Sequence, residues 1–297
     1  MNTSNIIWGI TLIFLGLSII ASKSGYLSPG FWLRLLDFWP LIFIIIGLSI
    51  ISKSAKKKLP FILIIIGLIV VPFIVAIVNP VPYVEQREVR EDITVPFDHS
   101  IEEVYLSIDG GAGNFKISGG GKDISSGNFS SNYARLIKDT SKVGKRLSIN
   151  YKTEGILKRD VIVRNVKTEM ELLLSDTIPY TVNLKIGASS LDLDFSSVIV
   201  KELKVDGGAS SINLKLGNKS PLQYVSIKAG ASDIDIRIPK DCGVRIKFDG
   251  GLSSKKFHNI DFVEEDKIYK TRGYEFSDKK IEIDISAGVS NIDIYEY

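Results

Sequence analysis

Acidic side chains in the second half of the chain are the residues whose type and spacing could do chemistry. They recur at alternate positions directly after small-residue turns: Asp192, Asp194, Asp233, Asp235 and Asp293. A ladder of carboxylates on neighbouring strands could collect the six or more oxygen ligands that Ca²⁺ takes. The intervening repeat carries Asn213 and Lys215 at the same positions, which interrupts that ladder. We therefore expect a solvated face, and neither a metal site nor a bound cofactor.

Residues for nucleophilic catalysis are scarce. The chain has one cysteine, Cys242, and two histidines, His99 and His258, and they form no Ser-His-Asp or Cys-His arrangement. Cys242 lies in the turn PKDCG and is expected to be a structural thiol. The GGG triplet at 119–121 follows no strand-to-helix phosphate motif, and a net charge of +3 is too small to indicate nucleic acid. The sequence therefore predicts a protein that is not an enzyme.

The acids are carried by a repeated phrase of strand, small-residue turn and strand. Copies read VNLKIGASSLDLDF, LKVDGGASSINLKL, VSIKAGASDIDIRI, VRIKFDGGLSSKKF and IEIDISAGVSNIDIY, and an earlier relative reads VYLSIDGGAGNFKI. Their turn glycines are Gly111, Gly187, Gly208, Gly230, Gly251 and Gly288. From Gly187 onward the steps are 21, 22, 21 and 37 residues. Strict alternation predicts half-buried strands, and the repetition predicts an all-β, solenoid-like or sandwich-like stack of 21–22-residue units.

Glycine at each turn has a mechanical explanation. A tight corner in a stack brings backbones close together and can require a positive φ, which glycine adopts without strain. Between the early relative and the main repeats the alternation weakens, and the segments 146–152 and 160–174 resemble hairpin strands. We expect these segments to cap the stack, which would otherwise end in an open edge.

Three apolar runs precede the β-like half, at residues 6–21, 38–51 and 61–78. At about 1.5 Å per residue the third is about 27 Å long, close to the thickness of the hydrocarbon core. The second is short for a span, and it either gains length from the preceding FWLRLLDF or enters the membrane as a re-entrant segment. We expect a transmembrane α-helical module at 1–79, a stalk at 80–92 and an all-β repeat domain at 93–297.

A basic loop determines the expected orientation. Lys53, Lys56, Lys57 and Lys58 lie between the second and third runs, and short basic loops stay in the cytoplasm. The third run then leads outward. The sequence therefore predicts a multi-pass protein of the cell membrane whose β domain is extracytoplasmic. Glycines within the runs favour either close packing against partner helices or simple tolerance of glycine in membrane helices.

Phrases in both halves resemble those of a known family. ITVPFD, IDGGAGNFKISGG, VDGGASSINLKLG and IKAGASDIDIRIPKDCGVRI are similar, in that order, to the C-terminal domain of LiaF-type proteins. This is the cell-wall-active antibiotics response family, with a toast-rack β fold. The phrases WGITLIFLGL and FWPLIFIIIG resemble the LiaI/LiaF-like transmembrane module. That module is often built of paired membrane hairpins, and an even number of spans would leave the β domain inside the cell.

The resemblance implies a non-catalytic accessory membrane protein of a bacterium, although an archaeal host stays open. The leading hypothesis is a membrane-anchored regulator or sensor of cell-envelope stress that binds a partner protein or an envelope component. The resemblance implies a sensor histidine kinase as the partner, with the lipid bilayer and a second copy of the chain as further contacts. The alternative is a surface adhesin-like or structural display protein, because unrelated adhesins carry similar glycine-turn strands.

Overall fold

The structure is a computed structural model and describes residues 3–27, 29–54, 59–81, 83–84, 88–156, 162–163, 166–251 and 253–297. The chain divides into two compact units: Met1–Gln86 with Leu157–Asn165, and Arg87–Ile156 with Val166–Tyr297. The first unit is mainly helical and the second is mostly β, as the sequence predicts. They are called the helical unit and the β unit below.

The helical unit contains α1 (Thr3–Lys23), α2 (Pro29–Leu36), α3 (Leu41–Ser54) and α4 (Leu59–Val78), with short strands β1 (Tyr83–Val84) and β8 (Ile162–Val163) paired in parallel. In the described part of the chain, α4 is the one helix whose length and composition would let it cross a membrane. Helices α2 and α3 are bent by 55° and would make a second span if they count as one broken helix. The three-span arrangement therefore stays a prediction.

Contacts of α2 with the end of α4 organise the helical unit. Arg34 donates from Nε to the carbonyl oxygen of Asn79 at 3.1 Å, directly after α4 ends. The backbone N–H of Val81 donates to the carbonyl of Gly30 at 3.2 Å. A Cβ on Gly30 would lie 1.9 Å from the carbonyl oxygen of Val81, so this approach of the two backbones requires glycine.

The β unit is one sheet of sixteen strands in the described residues. Its first strands are β2 (Val89–Val95), β3 (Glu103–Gly110), β4 (Gly113–Gly121), β5 (Ser125–Ser131), β6 (Ala134–Val143), β7 (Arg146–Gly155) and β9 (Thr168–Ser175). The main repeats form β10 (Pro179–Ile186), β11 (Ser189–Asp194), β12 (Ile199–Lys215), β13 (Leu222–Ile238), β14 (Gly243–Gly250) and β15 (Ser253–His258). The last strands are β16 (Phe262–Glu265), β17 (Ile268–Thr271) and β18 (Lys280–Glu296).

Each repeat forms a rung of two arms that meet at the turn glycine. The first arm is the strand before that glycine and the second arm is the strand after it. Rungs pair in parallel in the spatial order β3/β4, β10/β11, β12, β13, β18 and β14/β15. The C-terminal rung β18 thus lies between β13 and β14/β15. It is the last copy in the sequence but lies between two earlier copies, so the order of the rungs in space differs from their order in the sequence.

The pairing keeps apolar residues in continuous rows. Leu191 lies beside Ile212, which lies beside Ile234, and Ile292 follows in β18. All four side chains are at most 2% exposed, whereas Asp192 on the alternate position faces outward. The predicted alternation of buried and exposed positions is therefore confirmed. Burial of each such aliphatic side chain stabilises the fold by about 1.5–3 kcal/mol.

Further strands extend three of the four ends of the arms. Strand β7 lies parallel to β3 and carries β6, and β9 lies parallel to β4 and carries β5 and then β2. Strand β17 lies antiparallel to β14 and carries β16. The segments 146–152 and 160–174 thus contribute β7 and β9, which extend different arms and do not pair with each other; residues 160–161 and 164–165 lie outside the described residues.

Ile236→Ala is expected to lower the free energy of unfolding by about 2–5 kcal/mol, because Ile236 is fully buried between Leu214 and Ile294 and the change leaves a cavity. Urea unfolding of the detergent-solubilised chain, followed by β-sheet circular dichroism, measures it. Asp235→Ala, on the exposed side of the same strand, is the control and should change stability by less than about 0.5 kcal/mol. Similar losses in both variants would contradict the assigned faces.

Candidate interaction surface

The turn glycines form a continuous row along the corner of the rungs. In spatial order the row is Gly111, Gly187, Gly208, Gly230, Gly288 and Gly251. A Cβ on any of the last five would lie 2.7–3.2 Å from the carbonyl oxygen of the preceding glycine in the row. These distances are shorter than a carbon and an oxygen atom normally keep. A side chain at Gly230, Gly251 or Gly288 would therefore force the backbone to shift, whereas one at Gly187 or Gly208, at 3.2 Å, would require a smaller movement of the neighbouring backbone.

The structure shows one of the two predicted reasons for these glycines, the close approach of backbones, and not the other, a positive φ. Glycines with positive φ in the described residues are Gly25, Gly113, Gly120, Gly127, Gly144, Gly250 and Gly273. The corner glycines do not belong to this set. Glycine is needed at the corner because backbones approach each other, and the left-handed conformation plays no part there.

Gly230→Ala is expected to lower the free energy of unfolding by about 1–3 kcal/mol, because the new methyl group would lie 2.7 Å from the carbonyl oxygen of Gly208. Urea unfolding of the full chain in detergent measures the change. Gly111→Ala is a matched control at the end of the row, where the nearest atom, the Tyr133 hydroxyl, is 3.4 Å away. The close-approach explanation fails if Gly111→Ala costs as much as Gly230→Ala.

Serine side chains form a second row immediately after the corner. Ser210, Ser232 and Ser290 lie side by side in register and are buried. The backbone N–H of Ser210 donates to the hydroxyl of Ser232 at 3.3 Å, and the hydroxyl of Ser210 donates to the carbonyl of Gly187 at 3.4 Å. Within the described residues the Ser290 hydroxyl has no hydrogen-bond partner. The row thus supplies hydrogen-bonding groups where the corner backbone turns.

An open groove of about 790 Å³ lies along this serine row. Apart from serines it is lined by Ala231, Asp233, Val289 and Asn291, and the Asn291 side chain donates to Asp233 at 3.0 Å. Asp233 is the one ionisable residue in this lining. The groove thus presents hydroxyl and amide groups and a single carboxylate.

The carboxylates singled out in the sequence belong to a network of cross-strand contacts. Asn213 donates to Asp192 at 3.1 Å and accepts a hydrogen bond from Arg237 at 2.9 Å. Asp293 lies 2.7 Å from Nε2 of His258. The described residues contain no group of three or more His, Cys, Asp or Glu side chains that could hold a metal ion. Opposite charges and amides on neighbouring strands stabilise the pairing of the second arms.

Charges alternate across the outer side of the first arms. Going from strand to strand beside the corner, the row reads Lys152, Asp109, Lys185, Asp206 and Lys228. Each exposed pair contributes little stability by itself. A strand inserted in the wrong place would put like charges opposite each other, so the row favours the observed order of strands.

Cys242 is a buried thiol, with 7% of its surface exposed. Burial, followed by the charge of Asp241, raises the pKa of this thiol to about 11. The thiolate is the nucleophilic form of cysteine, so the side chain is unreactive near neutral pH. His99 packs edge-on against Phe97, and His258 stacks on Tyr295 with ring centroids 4.4 Å apart.

The topology-determining lysines are not placed by the structure. Lys53 belongs to α3, and its side chain lies outside the described residues. Lys56, Lys57 and Lys58 lie outside them altogether. The orientation that these lysines predict therefore stays a prediction.

Sequence reasoning overlooked Lys255. In β15 this lysine lies beside Ile292, in the inward row of apolar residues, and its Nζ is 4.4 Å from the centroid of the Phe248 ring. Aligning VRIKFDGGLSSKKF with the other copies shows a lysine where they carry leucine or isoleucine. This departure from the repeat is the sequence feature that could have identified Lys255.

The helical unit contains an apolar helix long enough to cross a membrane, and the stacked rungs form a large β-rich unit. Residues 84–237 match Toast_rack_N, the N-terminal domain of toast_rack, DUF2154, and residues 7–83 match LiaF-TM, the LiaF transmembrane domain. The first match alone covers more than half of the 297 residues. The chain therefore belongs to the toast-rack family and has the domain order of a LiaF-type protein.

Solved structures of other proteins are similar to this chain to different degrees. A candidate cell adhesion protein from Clostridium sporogenes ATCC 15579 is 26% identical, with a TM-score of 0.65, over 71% of this chain and 100% of that chain. A candidate adhesin from Bacteroides fragilis NCTC 9343 is 8% identical over 71% of this chain and 99% of that chain, with a TM-score of 0.20 that supports no argument. No curated protein matches the chain.

Proposed function

We propose that this chain is a membrane-anchored, non-enzymatic regulator or sensor of cell-envelope stress. The observation that carries the proposal is the order of the two family matches, a LiaF transmembrane domain followed by a toast-rack domain. Both are non-catalytic regulatory or structural families. The open serine-lined groove adds support, because it suits binding to a protein or an envelope component.

The proposed partner is a sensor histidine kinase whose activity the chain modulates through protein–protein contact. The lipid bilayer would hold the helical unit, and a second copy of the chain is a further candidate contact. In this proposal the β unit acts as the binding element. We also propose that the 21–22-residue unit stacks in a solenoid-like manner, which is supported by the parallel register of β12 on β13.

A reporter of envelope-stress transcription tests the regulatory role. Deleting the gene should change reporter output several-fold, and the wild-type chain should restore it, because the kinase is then regulated again. The Asp235→Ala chain should also restore it, whereas Ile236→Ala should not, since the destabilised β unit no longer binds. Crosslinking in membranes should recover the kinase with the wild-type chain and with Asp235→Ala. Unchanged reporter output after deletion would contradict the proposal.

We further propose a multi-pass arrangement with the β unit outside the cytoplasm. The apolar α4, the bent α2–α3 pair and the basic loop after α3 support it. Lys219→Cys places a thiol in an exposed turn, and a membrane-impermeant maleimide should label it in intact cells at pH 7. Native Cys242 is the internal control and should stay unlabelled, because burial raises its thiol pKa to about 11. Labelling of Lys219→Cys after lysis alone would place the β unit inside.

The alternative function is a surface adhesin-like or structural display protein. The similarity to the candidate cell adhesion protein of Clostridium sporogenes, which extends over all of that chain, favours it. This alternative would leave the stress reporter unchanged on deletion and would reduce attachment of intact cells to a surface or glycan. The two functions therefore give opposite results in the same deletion strain.

A further inference from the structure

Strand β15 is the one arm end that no further strand extends in the described residues. The other three ends continue into β7, β9 and β17, whereas β15 pairs with β18 alone. No described strand therefore pairs with the backbone N–H and C=O groups of its outer edge. An open edge of this kind is a template for pairing with a further strand.

A charge occupies the inward row at this edge. The register puts Lys255 beside Ile292, in the row that contains Ile234 and Ile212, each at most 2% exposed. Lys255 is exposed, and its Nζ lies 4.4 Å from the ring centroid of Phe248 and 5.7 Å from that of Tyr269. No carboxylate in the described residues forms an ion pair with it. The ammonium group is thus available to a negative charge arriving along the edge.

A cavity of about 240 Å³ opens beside this lysine. Phe248, Ile285 and Ile292 give it an apolar lining, and its charged lining residues are Lys255, Lys267 and Asp249. Two cations and one carboxylate lie at the cavity, so positive charge is in excess. The site combines a strand edge, an apolar recess and net positive charge.

The positive charge of β15 distinguishes between the strands that could pair with its outer edge. Pairing of β15 with β15 of a second copy would set Lys255 and Lys256 against the same two lysines, and like charges directly opposite are destabilising. A strand with aliphatic residues in the inward row would bury the Lys255 ammonium without a partner, which is costly. A strand with acidic residues at these positions would instead pair both lysines.

We propose that the outer edge of β15 binds an extended acidic peptide segment of a partner protein, which adds to the sheet as the next strand and directs a carboxylate to Lys255. Backbone hydrogen bonds along the edge would give affinity, and the two lysines would select the acidic sequence. The inference rests on the proposed function in one respect, that the β unit acts by binding a protein.

Fluorescence anisotropy with synthetic hexapeptides tests the proposal on the full chain in neutral detergent. The probe has two central glutamates flanked by valine and threonine, and its control has lysines in place of the glutamates. The acidic probe should bind the wild-type chain, and the lysine control should not. The double variant Lys255→Glu/Lys256→Glu should weaken acidic-probe binding at least tenfold and bind the lysine control instead. Lys219→Glu/Lys240→Glu, with the same net charge, should bind as the wild type does.

Backbone pairing is tested separately by N-methylation of the acidic probe. Methyl groups on alternate amides along one edge of the peptide should abolish binding, and the same groups along the other edge should leave it unchanged. Equal loss from both edges would overturn strand addition. So would no binding of the acidic probe at about 1 mM, which is the limit of weak affinity.

Sedimentation velocity tests whether a second copy of the chain, instead of another protein, occupies the β15 edge. If the wild-type chain dimerises and Lys255→Glu/Lys256→Glu dissociates it, the edge belongs to a second copy, for example through the acidic β16, and the proposal is overturned. A dimer that both double variants retain, together with charge-dependent probe binding, supports it. If deleting the gene leaves the stress reporter unchanged while the acidic probe still binds, the proposed function is overturned and the proposed binding at the β15 edge is still supported.

Discussion

Backbones approach each other closely at the corner of the rungs. For five of the six corner glycines a Cβ would lie 2.7–3.2 Å from a carbonyl oxygen of the neighbouring rung, so glycine is favoured at one position of each of these rungs. Once those glycines are aligned, the register of both arms is fixed. The inward rows of leucine and isoleucine, the serine row and the outer rows of charge all follow from that alignment, because each lies at a set distance from the corner.

Alternation and turn glycines were sufficient to predict the strands, their buried faces and the row of small residues, because these depend on local pattern. Which strands pair with each other was not predictable in the same way. The copies carry nearly interchangeable inward residues, so Ile234 in β13 pairs equally well with any neighbour that offers isoleucine. Only the structure shows that β18 lies between β13 and β14. The departure of Lys255 from the repeat is visible in the sequence. Its position at an unpaired strand edge could be recognised only from the structure, which shows that β15 ends an arm.

The polar surfaces differ in how many of their polar groups are hydrogen-bonded within the chain. Along the second arms, Asn213 links Asp192 to Arg237, and Asn291 binds Asp233, so much of the polar face is already hydrogen-bonded within the chain. At the last rung His258 still contacts Asp293 across the strands, but strand β15 has a single neighbour, and Lys255 has ring faces in place of a counter-charge. Pairing is therefore least complete at the outer edge of this rung.

The position of β18 makes the last rungs depend on a strand that follows them in the sequence. This strand bridges β13 on one side and β14 and β15 on the other, and it is formed by Lys280–Glu296. Within the described residues, β14 and β15 precede it in the sequence and join the other rungs through β18 alone. They can therefore take their place in the stack only after β18 has paired with β13. Pairing of strands that are distant in sequence is slow, so the last rungs are expected to form late in folding.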